Sequence, residues 1–182
     1  VENLEGFPEA IKFLKKNVAW TKNAPLLSDI LSTSEEYRVA IENYLEPYLN
    51  YYIVDHESEA YDAINILSDA GKGKANFFIL DSFEKFASSP VEMYPQNSFP
   101  ATQIIEFDPK YTKLMSFKLD KVYFYEGDIK NIPAEDNNTF ITKSGKVTKR
   151  KFSLSGGSVG LFEGKKIGRA KNLEKLEKEI KE

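Results

Sequence analysis

The stretch Phe152-Ser-Leu-Ser-Gly-Gly-Ser-Val-Gly160 decides how this chain folds and how we interpret it. Residues 147–154 overlap the start of this stretch, and their side chains alternate between two faces. Such alternation, with a period of two residues, predicts a strand. Gly156 and Gly157 follow. Because glycine has no Cβ, the backbone there can take a positive φ or let another backbone come close. We therefore predict a strand over 147–154 that ends in a glycine turn.

The same stretch contains Leu154-Ser-Gly-Gly157, which spells the signature motif of ABC-type ATPases. That motif works beside a phosphate-binding loop in which a lysine and a hydroxyl residue follow the second glycine. The nearest candidate, Gly160 to Lys166, has its glycines one residue too close together, and Lys166 stands where the hydroxyl is required. The sequence therefore argues against an ATPase site.

Charged residues are distributed very unevenly along the chain. Residues 143–171 carry nine lysines and arginines and a single acidic residue, within a chain whose net charge is −3. A basic block in an acidic protein is a candidate footprint for a polyanion such as nucleic acid. A solvated strand face followed by a charged helix would give the same pattern, so both interpretations stay open.

Composition limits the chemistry that is available. The 182 residues include no cysteine and one histidine, which excludes disulfides and thiolate zinc sites and leaves little from which to build a nucleophilic triad. No apolar run is long enough to cross a membrane. A carboxylate pair could still act as acid and base, but nothing marks one out among 28 acidic residues. We expect no catalytic residue, no metal and no cofactor in this chain.

The first part of the chain shows helix and strand signals in alternation. A helix is predicted from Pro8 to Asn17, and another after Ser34 that Pro47 stops. A strand at 51–55, a helix from Ser58 to Gly71 and a strand at 75–80 predict a βαβ unit, with Ala60, Tyr61, Ile64 and Leu67 facing inward.

Prolines and serines between residues 82 and 100 interrupt this rhythm and predict a boundary. Beyond it we predict strands at 104–107 and 121–125, a helix that starts at Asp108-Pro109, and a hairpin that ends in the opening strand. The expected fold class is α/β with mixed sheets, in two subdomains over 1–87 and 101–168 joined by a linker at 88–100. In residues 169–182, Leu173, Leu176 and Ile180 have heptad spacing and predict the start of a coiled coil, unless that helix packs on the body.

Short motifs spread over nearly the whole chain, in the right order, resemble the hinge domain of SMC (structural maintenance of chromosomes) proteins. They are Glu5-Gly6, Glu36 to Leu45, Tyr52 to Asp55 with Glu59 to Ile64, Gly73 to Asp81, Thr142 to Gly145, and Phe152 to Ser158. The chain departs from the family pattern at Glu46-Pro47, where a glycine is usual after the leucine, and at Lys74, where arginine is usual.

The resemblance implies a bacterial, non-enzymatic dimerisation module with two related α/β subdomains and two coiled-coil arms that leave on one side. It implies that ATP binds only at distant head domains of a chromosome condensation and segregation protein. It also implies a homodimer with a second hinge copy. Our candidates for that interface are Ser155, Gly156, Gly157 and Ser158 on one surface, and Leu26, Leu27 and Ile30 on the opposing one.

The resemblance further implies weak, non-specific DNA binding near the coiled-coil exit. The candidate residues are Lys143, Lys146, Lys149, Arg150, Lys151, Lys165, Lys166 and Arg169. We expect a cytoplasmic protein on the nucleoid, with no membrane and no small-molecule substrate as partners. Two alternatives stay open: a monomeric DNA-binding module whose tail packs on its body, and an enzyme with an unrecognised carboxylate site.

Overall fold

The computed structural model describes residues 6–87 and 95–157 together with Ile167. The predicted coiled coil at 169–182, the interface candidate Ser158 and the basic residues Lys165, Lys166 and Arg169 lie outside the described residues. Within the described part, helices and strands form mixed sheets, which confirms the predicted fold class.

Four α-helices lie within residues 6–87, and local sequence accounts for their ends. Helix α1 (Glu9–Asn17) follows Pro8, and helix α3 (Glu35–Leu45) ends two residues before Pro47, as predicted. The short α2 (Leu27–Ile30) leads directly into strand β1 (Leu31–Thr33). Helix α4 (Glu57–Ala70) ends at Gly71, whose φ of 62° is the left-handed conformation that stops many helices.

The predicted βαβ unit is present. Strands β2 (Tyr52–Val54) and β3 (Phe77–Ile79) flank α4 and pair in parallel, with Tyr52 opposite Phe77. They form a two-stranded sheet rather than the centre of a larger one, and β3 is only partly buried.

The predicted inward face of α4 is wrong at two positions. Ala60, Ala63 and Leu67 form the buried stripe, whereas Tyr61 and Ile64 are 58% and 43% exposed. Each residue turns the helix by about 100°, so Tyr61 lies one step round from Ala60. Three small or medium side chains are enough to fill the space beneath α4, and the larger side chains remain on the flank.

Residues 95–157 consist of strands around one short helix. Strands β4 (Ser98–Pro100), β5 (Ile105–Phe107) and β6 (Val122–Tyr125) are joined by 3₁₀ turns and by helix α5 (Thr112–Lys118). Strands β7 (Thr139–Thr142), β8 (Val147–Arg150) and β9 (Ser153–Gly156) follow. Five of these strands form one sheet in the order β4-β6-β7-β8-β9, parallel only between β6 and β7.

Side chains alternate between the two faces of this sheet. Val122 and Phe124 join the main core, while Tyr123 packs with Phe140 and Ile132 on the opposite face. Helix α3 covers the first of these faces, which positions it beside the β7–β8 turn.

Residues from both predicted subdomains contribute to the main core. Leu27, Ile41 and Leu45 pack there with Leu114 and Met115. Strand β1 also pairs antiparallel with β5 across the predicted boundary. The subdomain limits stay a prediction. No helix among the described residues combines the length and the apolar character needed to cross a membrane.

Candidate interaction surface

The strand predicted over 147–154 is two strands. Strand β8 ends at Arg150 and β9 begins at Ser153, so the chain reverses over Lys151 and Phe152. Phe152 makes this reversal possible by adopting a φ of 63°, which is uncommon for a bulky residue. The prediction failed because the alternation of side chains continues across the reversal, and nothing in the sequence marks Phe152 as a turn residue.

Among the strands of the described residues, β9 is the edge of the five-stranded sheet, and all four of its residues are exposed. Phe152 and Leu154 are 73% and 67% exposed, the highest values among the large apolar side chains described. An exposed apolar edge strand offers unpaired backbone groups to another chain. This arrangement is the main feature that sequence reasoning missed, although the apolar character of Phe152 and Leu154 was visible.

Gly156 and Gly157 differ in their surroundings. A Cβ built on Gly156 would overlap the carbonyl oxygen of Lys146, so only glycine fits against the β8 backbone. Gly157 donates its N–H to that same carbonyl at 3.1 Å and has a φ of 142°, yet the space around it is open. The close approach expected of Gly156 therefore occurs within the chain, and Gly157 leaves room for another backbone.

Helix α3 holds the hairpin in place through its partly buried aromatic residues. The Arg150 guanidinium lies 5.4 Å from the ring centroid of Tyr44 and donates from Nη1 to Ser155 Oγ at 3.1 Å. Burial raises the pKa of the Tyr44 hydroxyl, and the positive charge of Arg150 opposes that rise. A cleft of about 250 Å³ between α3 and the hairpin is lined by Asn43, Tyr44, Thr148 and Gly156, among other residues.

The basic candidates within the described residues are not equivalent. Lys143 pairs with Glu36 and lies 5.5 Å from the Tyr37 ring centroid, which ties the β7–β8 turn to α3. Lys149 is only 9% exposed and lies opposite Phe140, so most of its side chain is covered. Lys146 and Lys151 are exposed beside the hairpin.

Two of the three residues predicted for the opposing dimer surface, Leu26 and Leu27, lie in the interior. Leu26 and Leu27 are 1% and 0% exposed, because α2 packs its apolar side chains into the two cores. Ile30 is half-buried against the main core. In this conformation Leu26 and Leu27 offer no surface to a second chain.

The segment Asp55-His56-Glu57 forms a polar turn, as expected. His56 Nδ1 lies 2.6 Å from Asp81 Oδ2, and both side chains are well exposed. This pair links the carboxyl ends of β2 and β3. Among residues 6–87 and 95–157, no group of three or more histidines and acidic residues is placed to hold a metal ion.

Comparison with known proteins identifies a family. A family model described as the flexible hinge domain of SMC proteins matches residues 21–126. Two relatives, both named chromosome partition protein Smc, come from Chlorobaculum tepidum and Bacillus subtilis. They are 28% and 27% identical over 99% and 98% of this chain. The chain spans only 15% and 16% of the length of these relatives.

Solved structures show the same fold. An asymmetric dimer of the Geobacillus stearothermophilus SMC hinge domain matches with a TM-score of 0.73 and 22% identity, over 97% of this chain and 75% of that one. The Pyrococcus furiosus SMC hinge domain matches with a TM-score of 0.66 and 22% identity, over 85% and 84% of the two chains. The folded elbow of cohesin matches with a TM-score of 0.73 and 18% identity, over 94% of this chain and 25% of that one.

Proposed function

Because the chain belongs to the family of SMC flexible hinge domains, we propose that it is a homodimerisation module that joins two coiled-coil arms of a chromosome-partition ATPase. Its part in the longer protein is mechanical, without catalysis, and any ATP binds elsewhere. It works in the cytoplasm, on the chromosome. The similar hinge from Geobacillus stearothermophilus was solved as a dimer, which supports this proposal.

The observation that carries the proposal is the outer edge of β9, which is unpaired among the described residues. In an antiparallel ladder, residue pairs that are hydrogen-bonded to each other alternate with pairs that are not. The bond from the Gly157 N–H to the Lys146 carbonyl oxygen shows that these two residues form a hydrogen-bonded pair. By this alternation the backbone groups of Ser153 and Ser155 bond to β8, while those of Leu154 and Gly156 point away from it. The outward groups and the exposed Leu154 side chain suit addition of a strand from a second copy.

The opposing surface in this proposal is the outer edge of β3. Among the described residues β3 pairs only with β2, so its other edge is unpaired. The half-buried rings of Tyr51 and Phe78 lie 4.8 Å apart, centroid to centroid, beside it. Joining β9 of one copy to β3 of the other uses both halves of each chain, and a two-fold axis makes the contact occur twice.

Light scattering on a sizing column across a dilution series tests the dimer. We expect twice the chain mass for the unaltered protein and the single chain mass for Leu154→Lys, because the substitution places a charge on the joined edge. Tyr61→Lys is the matched control, since Tyr61 is also an exposed apolar residue but lies on α4. A dimer that survives Leu154→Lys, or an unaltered protein that is monomeric at every concentration, would contradict the proposal.

DNA binding by the basic rim is the second part of the proposal. Lys146, Arg150 and Lys151 are exposed around the β8–β9 hairpin. Lysine neutralises phosphate as a point charge, which suits binding without sequence preference. The rim also includes Lys143, although its ammonium group forms an ion pair with Glu36. Lys149, Lys165, Lys166 and Arg169 stay in the proposal as predicted from the sequence.

Fluorescence anisotropy with a mixed-sequence DNA duplex tests the rim. The logarithm of the binding constant should fall linearly with the logarithm of salt concentration, with a slope of about −0.9 for each phosphate contacted. Lys146→Glu should weaken binding and make the slope shallower. Lys16→Glu, at the exposed end of α1, is the control and should change binding less. Binding that does not respond to salt would exclude this part of the proposal.

A further inference from the structure

A pocket of about 220 Å³ opens beside the carboxyl end of β2, away from the hairpin. Its lining includes Trp20, Pro25, Asp55, Glu59, Lys110 and Tyr111. Strand β2 delivers Asp55, the first turn of α4 delivers Glu59, and the turn before α5 delivers Lys110 and Tyr111. The crevice beyond the carboxyl ends of parallel strands is a common position for ligands in α/β proteins.

Two aromatic side chains form rigid walls of this pocket. Trp20 is half-buried and packs on the core under α1 and α4. Tyr111 is 7% exposed and belongs to the main core. Both rings are therefore fixed by packing before any ligand arrives. The face of an aromatic ring attracts cations, and tryptophan does so most strongly.

The charges of the pocket leave an excess of negative charge. Glu59 Oε1 accepts a hydrogen bond from the His56 backbone N–H at 3.1 Å, which fixes its position. The Asp55 side chain is exposed and forms no ion pair with any residue in 6–87 or 95–157. The lining thus contains two carboxylates and one ammonium group.

Lys110 offsets one of these two negative charges, and its ammonium group lies against a neighbouring ring. Its Nζ lies 5.0 Å from the centroid of the Tyr111 ring. A hydrogen bond with Tyr111 is the main cause that raises the pKa of Lys110, and the charges of Asp55 and Asp108 act in the same direction. An anionic ligand would meet Lys110 but also both carboxylates, so the balance of charge favours a cation.

We propose that this pocket binds an alkylammonium or alkylguanidinium group, with Trp20 and Tyr111 against its stem and Asp55 and Glu59 at its charge. A basic side chain of a protein segment and a free aliphatic amine carry the same chemistry. The proposal does not rest on dimerisation or on DNA binding.

The sole tryptophan of the chain lies in the pocket wall, so its fluorescence reports on occupancy. The probe is N-acetyl-arginine amide, and N-acetyl-citrulline amide is the uncharged control of the same shape. We expect a saturable change with half-saturation at roughly 1 mM for the arginine probe, a strength typical of one weakly held group. The citrulline probe should produce no saturable change.

Variants of the two carboxylates connect the signal with the pocket. Asp55→Asn and Glu59→Gln should each raise the half-saturation concentration about tenfold, because each removes a charge-assisted contact. Glutamine can still accept the bond from the His56 N–H, so Glu59→Gln keeps the start of α4. Glu57→Gln, an exposed neighbour outside the pocket lining, should leave the half-saturation concentration unchanged.

Two further probes distinguish the sources of the ligand. Tighter binding of a peptide with the sequence of residues 143–152 than of the capped arginine would assign the pocket to a basic protein segment. Binding of putrescine at least as tight as that of the capped arginine would assign it to a free amine. Absence of a saturable change with every cationic probe, or an equal change in Asp55→Asn, would overturn the proposal.

Discussion

Gly156 is the residue on which the geometry of the hairpin depends most directly. Any side chain there would meet the Lys146 carbonyl oxygen, and its Cβ would also lie 3.3 Å from Val147 Cα. Because both obstacles are backbone atoms of β8, no change of rotamer can relieve the overlap. The two strands would have to separate at this point.

We expect Gly156→Ala to destabilise the hairpin by about 1–3 kcal/mol, the usual cost of forcing atoms into filled space. Amide hydrogen exchange of β8 and β9 measures this locally, since the edge hairpin can open without global unfolding. Ser153→Ala is the control, because Ser153 is exposed on the same strand. Exchange in Gly156→Ala as slow as in the unaltered protein would show that the strands accommodate a methyl group.

The sequence predicted that a backbone would approach these glycines, but not which one. The approach to Gly156 comes from Lys146 of the same chain. A missing Cβ indicates that space is needed, and the identity of the neighbour depends on strand pairing that residue types do not encode. In the same way, Lys149 looks like its basic neighbours in the sequence, and only its register opposite Phe140 shows that it is covered.

His56 gives a second residue-level prediction, on pH. The hydrogen bond with Asp81 and then the charge of Asp81 raise the pKa of His56 above its ordinary value of 6.5. Because the folded pKa is raised, the stabilisation is fully present below pH 6.5 and is lost as the pH rises through the folded pKa. Both groups are exposed, so we expect a small effect on stability.

Nuclear magnetic resonance measures this pKa directly, because the chain has a single histidine. We expect the His56 ring resonances to titrate above 6.5, and to shift back toward 6.5 in Asp81→Asn. Glu84→Gln, an exposed acid nearby in sequence, serves as the control. An identical titration in Asp81→Asn would mean that the pair does not form in solution.

The residues of strand β9 are of two kinds, those whose backbone N–H is directed at β8 and those whose N–H points away from it. The backbone N–H of Ser155 is directed at β8, and that of Leu154 at the open edge. Proline removes the N–H group, so the same substitution at the two positions has different consequences. Leu154→Pro removes only an outward donor, whereas Ser155→Pro removes a bond that holds the hairpin together.

We therefore expect Leu154→Pro to give a monomer that keeps the protected amides of β8, and Ser155→Pro to expose those amides to exchange. Light scattering and hydrogen exchange on the same samples make the comparison. If Leu154→Pro remained a dimer, β9 would not be the strand that pairs with the second copy. If both variants lost protection to the same extent, the assignment of which β9 backbone groups bond to β8 would be incorrect.

The ends of the helices could be predicted from nearby residues. The face that a helix buries could not, because it depends on which side chains fit into the space beneath it. Pro8, Pro47, Gly71 and Asp108-Pro109 act within a few residues of themselves, and the helices they bound occur where expected. The inward face of α4 depended on what lies beneath the helix. Small side chains filled that space, so Tyr61 and Ile64 were left outside.

For the whole molecule, the shared core is the feature with the widest consequence. Met115 is fully buried in it, among residues from before and after the predicted boundary. We expect Met115→Ala to lower the free energy of unfolding by about 2–5 kcal/mol. The same loss of unfolding free energy should be measured by Trp20 fluorescence, which reports on the first half, and by amide hydrogen exchange of β6, which reports on the second.

Phe117→Ala is the control, since Phe117 is on the same helix but 48% exposed. Separate unfolding midpoints for the two probes in the unaltered protein would contradict a shared core and would favour two independently folding halves.

The outer edges of β3 and β9 are unpaired among the described residues, and joining them in the proposed dimer has a consequence for how many copies can assemble. An edge that must meet a different edge on its neighbour is a head-to-tail contact, and such contacts either close into a ring or continue into a filament. Which of these happens depends on the angle between β3 and β9 within one chain. The pairing of β1 with β5 and the common core hold that angle fixed. A rigid interior would thus set the copy number at two, and a substitution that loosened it would turn a closed pair into a polymer.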